Sequence, residues 1–487
     1  MTGQSGVVFP LAGDRRSTTA TGRAVVADAL RAVDPLGAAA AQAEPNWRRG
    51  YLPHFRRLVE AGLPSAAAAQ GIARDGLASL HGRMRWRPAG EGGVDLPLSD
   101  AFSGDAAPVL SSETVRGQGQ PDRALSLPYA GARLSGDALL RQLDAWVAAG
   151  TVEPSCAEAV GAVVAHPEWL DVRDWRVVVL GAAAEMGPLR SLLRWGADVV
   201  AVDLPRRELW SRLLSDTRSL AGSLTVPVRP GDGDLAARAG ADLVHAPAAT
   251  ARWLEELEGP VVMGNYVYAD GETNVRVSMA VDAVSEHVVA QRGVHEVALA
   301  FLATPTDVFA VPRETVERSV ASYGRSRAAT VLRVPLRALS GGRLLRRNYV
   351  PDAGPGINDS VVLQQGPNYL LAKRLQRWRA TEHRARGGLA SLHVAPPTRT
   401  RSVLKNRALA AAYAGAHRFG IEVFEPGTAN TLMAALLVHD LRTGSPVHPH
   451  PWQDEAYAAA HGGLWTAAYH SRSALGLAAL LGWASAR

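Results

Sequence analysis

The chain has 487 residues, 47% of them hydrophobic and 20% charged, which is a composition typical of a folded globular protein. Its single cysteine, Cys156, excludes an internal disulfide framework and any C-x-x-C metal or redox site, and we expect it to be a buried hydrophobic residue. The net charge is +6, yet the basic residues are dispersed among acids and accompany no nucleic-acid-binding motif. We therefore expect no nucleic-acid partner.

The N-terminal residues contain no basic segment followed by an apolar one, so no secretory signal is predicted. The longest apolar stretch near the C-terminus, residues 474–483, is shorter than the roughly 20 residues of a membrane-spanning helix. These features predict a cytoplasmic protein without a membrane partner.

Composition and periodicity divide the chain into three parts. Residues 1–165 predict a mostly helical N-terminal extension with a loop-rich segment near 90–133. Residues 166–445 alternate predicted strands and helices, and residues 446–487 predict a helical tail. Helices are predicted at 22–41, 47–63, 135–150, 155–165, 274–291, 369–386, 428–440 and 456–486.

The middle part has the pattern of a parallel sheet. Uninterrupted apolar runs are typical of strands buried on both faces. Such runs occur at 177–180, 199–202, 224–228, 241–244, 261–263, 297–302 and 389–394. Helical stretches between several of them predict an α/β fold of the doubly wound Rossmann type, with helices on both faces of the sheet.

A turn of small residues follows the first of these strands and precedes a helix. It contains Gly181, Ala182, Glu185, Met186 and Gly187. The unpaired N–H groups at the start of a helix attract phosphate, and residues without bulky side chains let it approach. The turn therefore predicts a nucleotide-type ligand.

Asp203 ends the second predicted strand, where an acid accepts hydrogen bonds from the adenosine ribose. A carboxylate there favours NAD over NADP, because it repels a 2′-phosphate, whereas the adjacent Arg206 and Arg207 act against that preference. The S-adenosylmethionine site of methyltransferases uses the same turn and the same acid, so a methyltransferase is an alternative at this point.

Tyr369 and Lys373 are four residues apart in a predicted helix and therefore share one face. A nearby ammonium stabilises phenolate and lowers the pKa of a tyrosine, which makes the hydroxyl a usable acid or base. Lys occurs only at Lys373 and Lys405, and the other 50 basic residues are Arg. The retention of Lys at position 373 indicates a function that Arg does not fill.

These features resemble the short-chain dehydrogenase/reductase family over residues 175–440. The turn is similar to the family's T-G-x-x-x-G-x-G motif, with Leu180 in place of Thr and Glu185 in place of the middle Gly. Tyr369 and Lys373 match its Y-x-x-x-K pair. The resemblance implies that Tyr369 transfers a proton and that Lys373 lowers its pKa and binds the ribose of the nicotinamide.

Other site residues follow from the same resemblance. Asn274 falls where the family places the Asn that holds a proton-relay water. Ser360 is the candidate for the Ser that orients the substrate oxygen, with Thr304 or Thr306 as substitutes. Pro396 and Thr398 lie in a segment similar to the loop that closes over the nicotinamide.

Three features depart from the family pattern. Glu185 places a carboxylate where pyrophosphate approaches the turn, and residues 245–248, His-Ala-Pro-Ala, stand where N-N-A-G follows the fourth strand. Residues 307–356 are an insertion before the catalytic helix, and the alternation within 331–350 predicts a β-hairpin that serves as a lid or as a contact between subunits of a homo-oligomer.

The resemblance implies an NAD(P)-dependent oxidoreductase acting on a carbonyl or alcohol of a small molecule, such as a biosynthetic intermediate. A redox-neutral or non-catalytic relative, such as a cyclase, a dehydratase or a binding partner, is the alternative that Glu185 suggests. No metal is expected, because the histidines and acids at 448–461 have the pattern of a turn that precedes a helix.

Overall fold

The computed structural model describes residues 4–90, 93–103, 109–324, 327–444 and 446–485. Its first part contains β1 (Gly6–Val8), β2 (Leu11–Ala12), β3 (Arg15–Arg16), α1 (Thr18–Leu30), α2 (Pro35–Ala43), α3 (Trp47–Gly62) and α4 (Ala66–Arg83). Next come β4 (Arg85–Arg87), β5 (Leu96–Pro97), β6 (Ser111–Arg116), β7 (Ser126–Tyr129), β8 (Ala132–Ser135), α5 (Gly136–Ala149) and α6 (Pro154–Ala165).

The middle part alternates strands and helices. It contains β9 (Arg176–Leu180), α7 (Leu189–Trp195), β10 (Asp198–Val202), α8 (Arg207–Arg218), β11 (Ser223–Val228), α9 (Leu235–Arg238), α10 (Pro247–Glu255), β12 (Val261–Asn265), α11 (Glu272–Arg292) and β13 (Val297–Ala303). It continues with β14 (Val308–Val311), α12 (Arg313–Gly324), α13 (Arg327–Leu339), β15 (Gly356–Asp359), α14 (Gly366–Ala385) and β16 (Ala390–Val394).

The remaining helices follow β16. They are α15 (Arg401–Lys405), α16 (Arg407–Gly415), α17 (Pro426–Thr443), α18 (Pro451–Ala456) and α19 (Ser471–Ser485).

A seven-stranded, mostly parallel sheet forms the centre of the molecule, in the order β16-β13-β12-β9-β10-β11-β6. Every neighbouring pair is parallel except β11 and the edge strand β6. β9 pairs with β10 on one side and with β12 on the other. The mixed α/β class is therefore confirmed, and the order of the parallel strands reverses between β9 and β12.

The central strands form where runs of β-branched and other apolar residues make both faces of the strand apolar. Val177 and Val179 of β9 face a core shared with α5, α6, α7 and α17, whereas Val178 and Leu180 face a core shared with the N-terminal helices, α11 and α14. All four side chains are fully buried. Burial of each such side chain stabilises the fold by about 1.5–3 kcal/mol, and the sheet is held from both faces.

The N-terminal helices cover the outer side of α14. A Cβ atom added to Gly76 of α4 would lie 2.5 Å from the ring of Trp378 on α14, so only glycine permits this approach. Arg276 of α11 donates hydrogen bonds to the carbonyl oxygens of Ser5 and Val7, at distances of 2.7 and 2.6 Å. Helix α14, which carries Tyr369 and Lys373, is thereby fixed between the sheet and the first part of the chain.

The strand predicted at 241–244 is wrong. These residues form a buried turn in which Asp242 accepts a hydrogen bond from the Val244 N–H at 3.0 Å, and Val244 offers its carbonyl to Val7 of β1. The turn residues are apolar because the N-terminal segment covers them. The fourth parallel strand is β12, which ends on Asn265, so residues 245–248 do not follow the fourth strand.

The predicted hairpin at 331–350 is also wrong. Residues 327–339 are helical, and the turn at 340–342 ends this helix through a hydrogen bond from Gly342 N–H to the carbonyl of Arg337. The insertion is instead closed at its base by β14 and β15, which pair antiparallel. Its contacts run to α5, α6 and the segment before α19, as in the hydrogen bond from Thr315 to Glu153 at 2.9 Å.

Two further predictions differ from the structure. Residues 457–470 are not helical, because the chain turns at Ala458, Gly462 and Gly463, each with positive φ. The loop-rich segment near 90–133 contributes the edge strand β6 and the strand β7. Cys156 is fully buried as expected, and burial raises the pKa of its thiol to about 12.

No helix within the described residues combines the length and the apolar character that crossing a bilayer requires.

Candidate functional site

The glycine turn lies at the carboxyl end of β9, beside the point where the strand order reverses. Most of its N–H groups are already bonded: Ala182 to the carbonyl of Val202, Ala184 to that of Gly181, and Gly187 to that of Ala184. The N–H groups of Glu185 and Met186 have no partner among the described residues. These two groups are the ones that the turn itself offers to a phosphate.

Gly181 is required by the backbone. It adopts φ of +85°, and a Cβ atom there would lie 2.9 Å from Val267, in the loop after β12. The ring of Tyr266 fills the space between Gly264 and Gly187 beneath the turn. The two loops on either side of the switch point therefore touch each other directly.

Asp203 follows β10, and its carboxylate holds the turn. One oxygen accepts the N–H of Ala183 at 2.8 Å and the other accepts that of Leu204 at 2.7 Å. Burial raises the pKa of this carboxyl, while the two hydrogen bonds lower it. Each carboxylate oxygen retains acceptor capacity for a hydroxyl group.

Glu185 connects the turn to the loop after β16. Its carboxylate accepts hydrogen bonds from the backbone N–H of Arg401 at 2.8 Å and from the guanidinium of Arg401 at 3.0 Å, and its carbonyl accepts one from Asn430. The same loop contains the buried Pro396 and Thr398, and Thr398 donates to the carbonyl of Pro396 at 2.8 Å. The ion pair thus joins the two predicted cofactor loops.

Tyr369 lies in the first turns of α14, near the carboxyl end of β13. Thr304 and Gln365 are its polar neighbours, and both favour the phenolate. Thr304 and Thr306 share a hydrogen bond of 2.8 Å, and Gln365 donates to Thr306 at 2.7 Å. The structure therefore brings Tyr369 together with Thr304, the predicted substitute for Ser360.

Lys373 lies one turn further along the same helix. Its ammonium donates to the carbonyl of Leu302 in β13 at 3.0 Å and to Gln376 at 3.1 Å, and Gln376 in turn donates to Asn265 at the end of β12 at 3.2 Å. No hydrogen bond joins Lys373 to Tyr369 in the described part of the chain. An ammonium has three N–H groups, so one is left for a ligand.

The expected lowering of the tyrosine pKa by Lys373 is wrong for this geometry. Burial raises the pKa of Tyr369 to about 12, and the charge of Asp307 adds to the rise, against the effects of Thr304 and Gln365. Burial also lowers the pKa of Lys373 to about 8, against the opposite effect of Asp307. Desolvation exceeds charge stabilisation because the two groups do not pair with each other.

The N–H of Ser360 donates to the carbonyl of Asp307 at 3.3 Å, but its hydroxyl forms hydrogen bonds away from Tyr369. Ser360 is fully buried after β15, donates to Asn358 at 2.7 Å and shares a hydrogen bond of 2.9 Å with Ser471. Within the described residues its hydroxyl therefore bonds to the start of α19 and has no hydrogen bond to Tyr369. Asn274 is buried at the start of α11, where it accepts the N–H of Ala269 at 3.1 Å and so shapes the loop after β12.

Residues that the sequence argument missed surround Lys373. Asn265 and Gln376 complete its hydrogen-bond chain, and Asp307 is held by Arg377 at 2.9 Å and by Arg374 at 3.3 Å. In the sequence, Arg374 and Arg377 are recognisable only as charged residues within a helix whose other residues are mostly buried. Asn265 was detectable as a polar residue that ends an apolar run.

A cluster of metal-ligand type occurs elsewhere, with His81, Asp282 and Glu286. The guanidinium of Arg379 occupies its centre, with hydrogen bonds of 2.7 and 2.8 Å to the two acids. A cation already neutralises these acids, so the cluster is an ion-pair network built on the buried Asp282 and Arg379. His448 accepts or donates a hydrogen bond with Asp454 at 2.8 Å, as expected for a turn before a helix.

A scan against protein-family models and a search of curated proteins both find no match for this chain.

Proposed function

We propose that the chain is an NAD(P)-dependent oxidoreductase of the short-chain dehydrogenase/reductase type. It would exchange a hydride between nicotinamide and a carbonyl or alcohol of a small molecule in the cytoplasm. The observation that carries the proposal is the cluster at the carboxyl end of β13, where Tyr369 adjoins Thr304 and Lys373 follows one helical turn later.

The sheet supports a dinucleotide ligand. Numbered in chain order, its six parallel strands run 3-2-1-4-5-6, the order of Rossmann sheets that bind dinucleotides where the order reverses. The glycine turn ends β9 and Asn265 ends β12, so these two features flank that point. Tyr369 and Lys373 are on the helix that leads from the fifth parallel strand to the sixth.

The residues at this point fit the cofactor. The free N–H groups of Glu185 and Met186 would hold pyrophosphate, Asp203 would accept hydrogen bonds from the adenosine ribose, and the third N–H of Lys373 would bind the second ribose. The cofactor supplies or accepts the hydride. Asp203 favours NAD over NADP because its carboxylate would repel a 2′-phosphate.

The side chains supply the proton chemistry. With a pKa raised to about 12, Tyr369 is protonated at neutral pH and is suited to donate its proton to the oxygen of a carbonyl that is being reduced. Thr304 would donate a hydrogen bond to the same oxygen or to the phenolate that remains. In the reverse direction the phenolate takes the proton of an alcohol, so acid and base roles alternate on one oxygen.

Calorimetric titration with NADH, NADPH and S-adenosylmethionine tests the proposal. We expect binding of NADH, weaker binding of NADPH and none of S-adenosylmethionine. Tyr369→Phe should keep the NADH affinity within about twofold and lose at least a hundredfold in turnover of carbonyl substrates, the usual size of general-acid catalysis. Binding of S-adenosylmethionine alone would establish the methyltransferase alternative instead.

The ion pair of Glu185 with Arg401 favours a second candidate, a redox-neutral or non-catalytic protein. In that case the pair closes the crevice, and the carboxylate excludes pyrophosphate. Glu185→Gln separates the two, because it removes the negative charge and keeps the shape. If wild type and Glu185→Gln both fail to bind NADH and NADPH, the oxidoreductase proposal is wrong; a gain in affinity in Glu185→Gln would support it.

A further inference from the structure

The C-terminal helix α19 is apolar around its whole circumference. Residues 474–484 contain only Ala, Gly, Leu and Trp. A helix of this composition is normally buried. Here Leu480 and Trp483 are 63% and 59% exposed, and both lie on the side of α19 that faces away from the rest of the molecule.

The other side of α19 packs on α16 through small residues. A Cβ atom added to Gly482 would clash with the carbonyl oxygen of Ala411, and one added to Gly415 would clash with that of Ala478. The two helices are therefore antiparallel and in backbone contact. This arrangement leaves Leu480 and Trp483 exposed, away from the partner helix.

The helices beside this apolar face carry only positive charge. Residues 401–421 and 456–485 contain no Asp or Glu. Lys405, Arg407 and Arg418 are exposed, and within the described ranges none of the three forms an ion pair. Leu404, directly before Lys405, is 55% exposed near the start of α16, the end towards which the antiparallel α19 runs.

We propose that this face, formed by α19 with the basic residues of α15 and α16, binds an anionic lipid surface. Trp and Leu enter the interface between headgroups and acyl chains, and Lys and Arg beside them attract anionic headgroups. A second copy of the chain fits less well, because its face would bring the same positive charges together. In this arrangement the helix would lie on the membrane surface and would not cross the bilayer.

Co-sedimentation of the full chain with vesicles tests this binding. The protein should bind phosphatidylcholine vesicles that contain phosphatidylglycerol, release with added salt, and bind pure phosphatidylcholine weakly. Leu480→Ser with Trp483→Ser should reduce binding at least about thirtyfold through lost apolar burial. Lys405→Gln with Arg407→Gln should reduce it about fivefold for each charge removed.

Matched controls come from the N-terminal helices. Leu36 is 81% exposed, and Arg48 and Arg49 are both exposed. The single variant Leu36→Ser and the double variant Arg48→Gln with Arg49→Gln should therefore bind vesicles as wild type does. Circular dichroism and thermal unfolding establish that each variant folds. The proposal would be overturned if the control variants lost as much vesicle binding, if binding did not depend on phosphatidylglycerol, or if wild type did not bind. A dimer in light scattering that disappears in Leu480→Ser with Trp483→Ser would instead assign the face to a second copy.

Discussion

Lys373 should destabilise the fold at neutral pH. Burial lowers its pKa from 10.5 to about 8, so the unfolded chain binds the proton more tightly than the folded chain does. A shift of this size corresponds to roughly 3 kcal/mol, of which the hydrogen bonds to Leu302 and Gln376 offset about 1–2 kcal/mol. Replacing Lys373 by Met, which is similar in length and uncharged, should therefore stabilise the protein by about 1–2 kcal/mol at pH 7.

The sign of the pH dependence follows from the same pKa values. The penalty on protonated Lys373 is fully present below pH 8 and is relieved as the pH rises from 8 towards 10.5, where the unfolded lysine also loses its proton. The stability of wild type relative to Lys373→Met should therefore increase across this window. Near pH 10 the order should reverse, because the neutral amine keeps hydrogen bonds that Met lacks.

Urea unfolding of wild type and Lys373→Met between pH 7 and 10 measures this difference. Lys405→Met is the matched control, since the only other lysine of the chain is exposed, and it should change stability by less than about 0.5 kcal/mol. Parallel stability curves for wild type and Lys373→Met would refute the reasoning. A more stable but inactive Lys373→Met would indicate that the lysine is retained for function.

Other predictions address packing, ion pairing and catalysis. Gly482→Ala should lower the free energy of unfolding by about 1–3 kcal/mol, measured by thermal unfolding, because the new Cβ meets a carbonyl of α16. The control Gly476→Ala has open space around the new atom and should be neutral or stabilising by up to about 1 kcal/mol. Arg379→Met should cost about 3–5 kcal/mol in urea unfolding at pH 7, because it leaves Asp282 buried and charged; a loss below about 1 kcal/mol would contradict this. Thr304→Val should lower kcat at least about tenfold with KM nearly unchanged, and an unaltered kcat would exclude a role beside the tyrosine hydroxyl.

Apolar runs in the sequence predicted the strands of the central sheet, because a strand that is covered on both faces consists of consecutive apolar residues. The runs at 177–180, 199–202, 224–228, 261–263, 297–302 and 389–394 all coincide with strands. The run at 241–244 has the same composition but is a turn. Its residues are covered by the distant strand β1, and a pattern within one segment does not reveal which partner buries it.

The candidate site shows a similar division. Tyr369 and Lys373 were predicted to share a helix face, and they do lie one turn apart on α14. Their hydrogen-bond partners, Thr304 and the carbonyl of Leu302, come from the end of β13, more than sixty residues away in the chain. Ser360 was selected by its distance in sequence from Tyr369, whereas its hydroxyl forms hydrogen bonds with Asn358 and Ser471.

The sequence by itself determined the α/β alternation, the glycine turn with its strand-end acid, and the helix that holds a tyrosine and a rare lysine, since each depends on neighbours within a few residues. Only the tertiary structure decided the strand order, the burial that raises the pKa of Tyr369 and lowers that of Lys373, and the exposed apolar face of α19. The physical reason is that desolvation and pairing depend on which distant segments cover a group, and local periodicity carries no record of them.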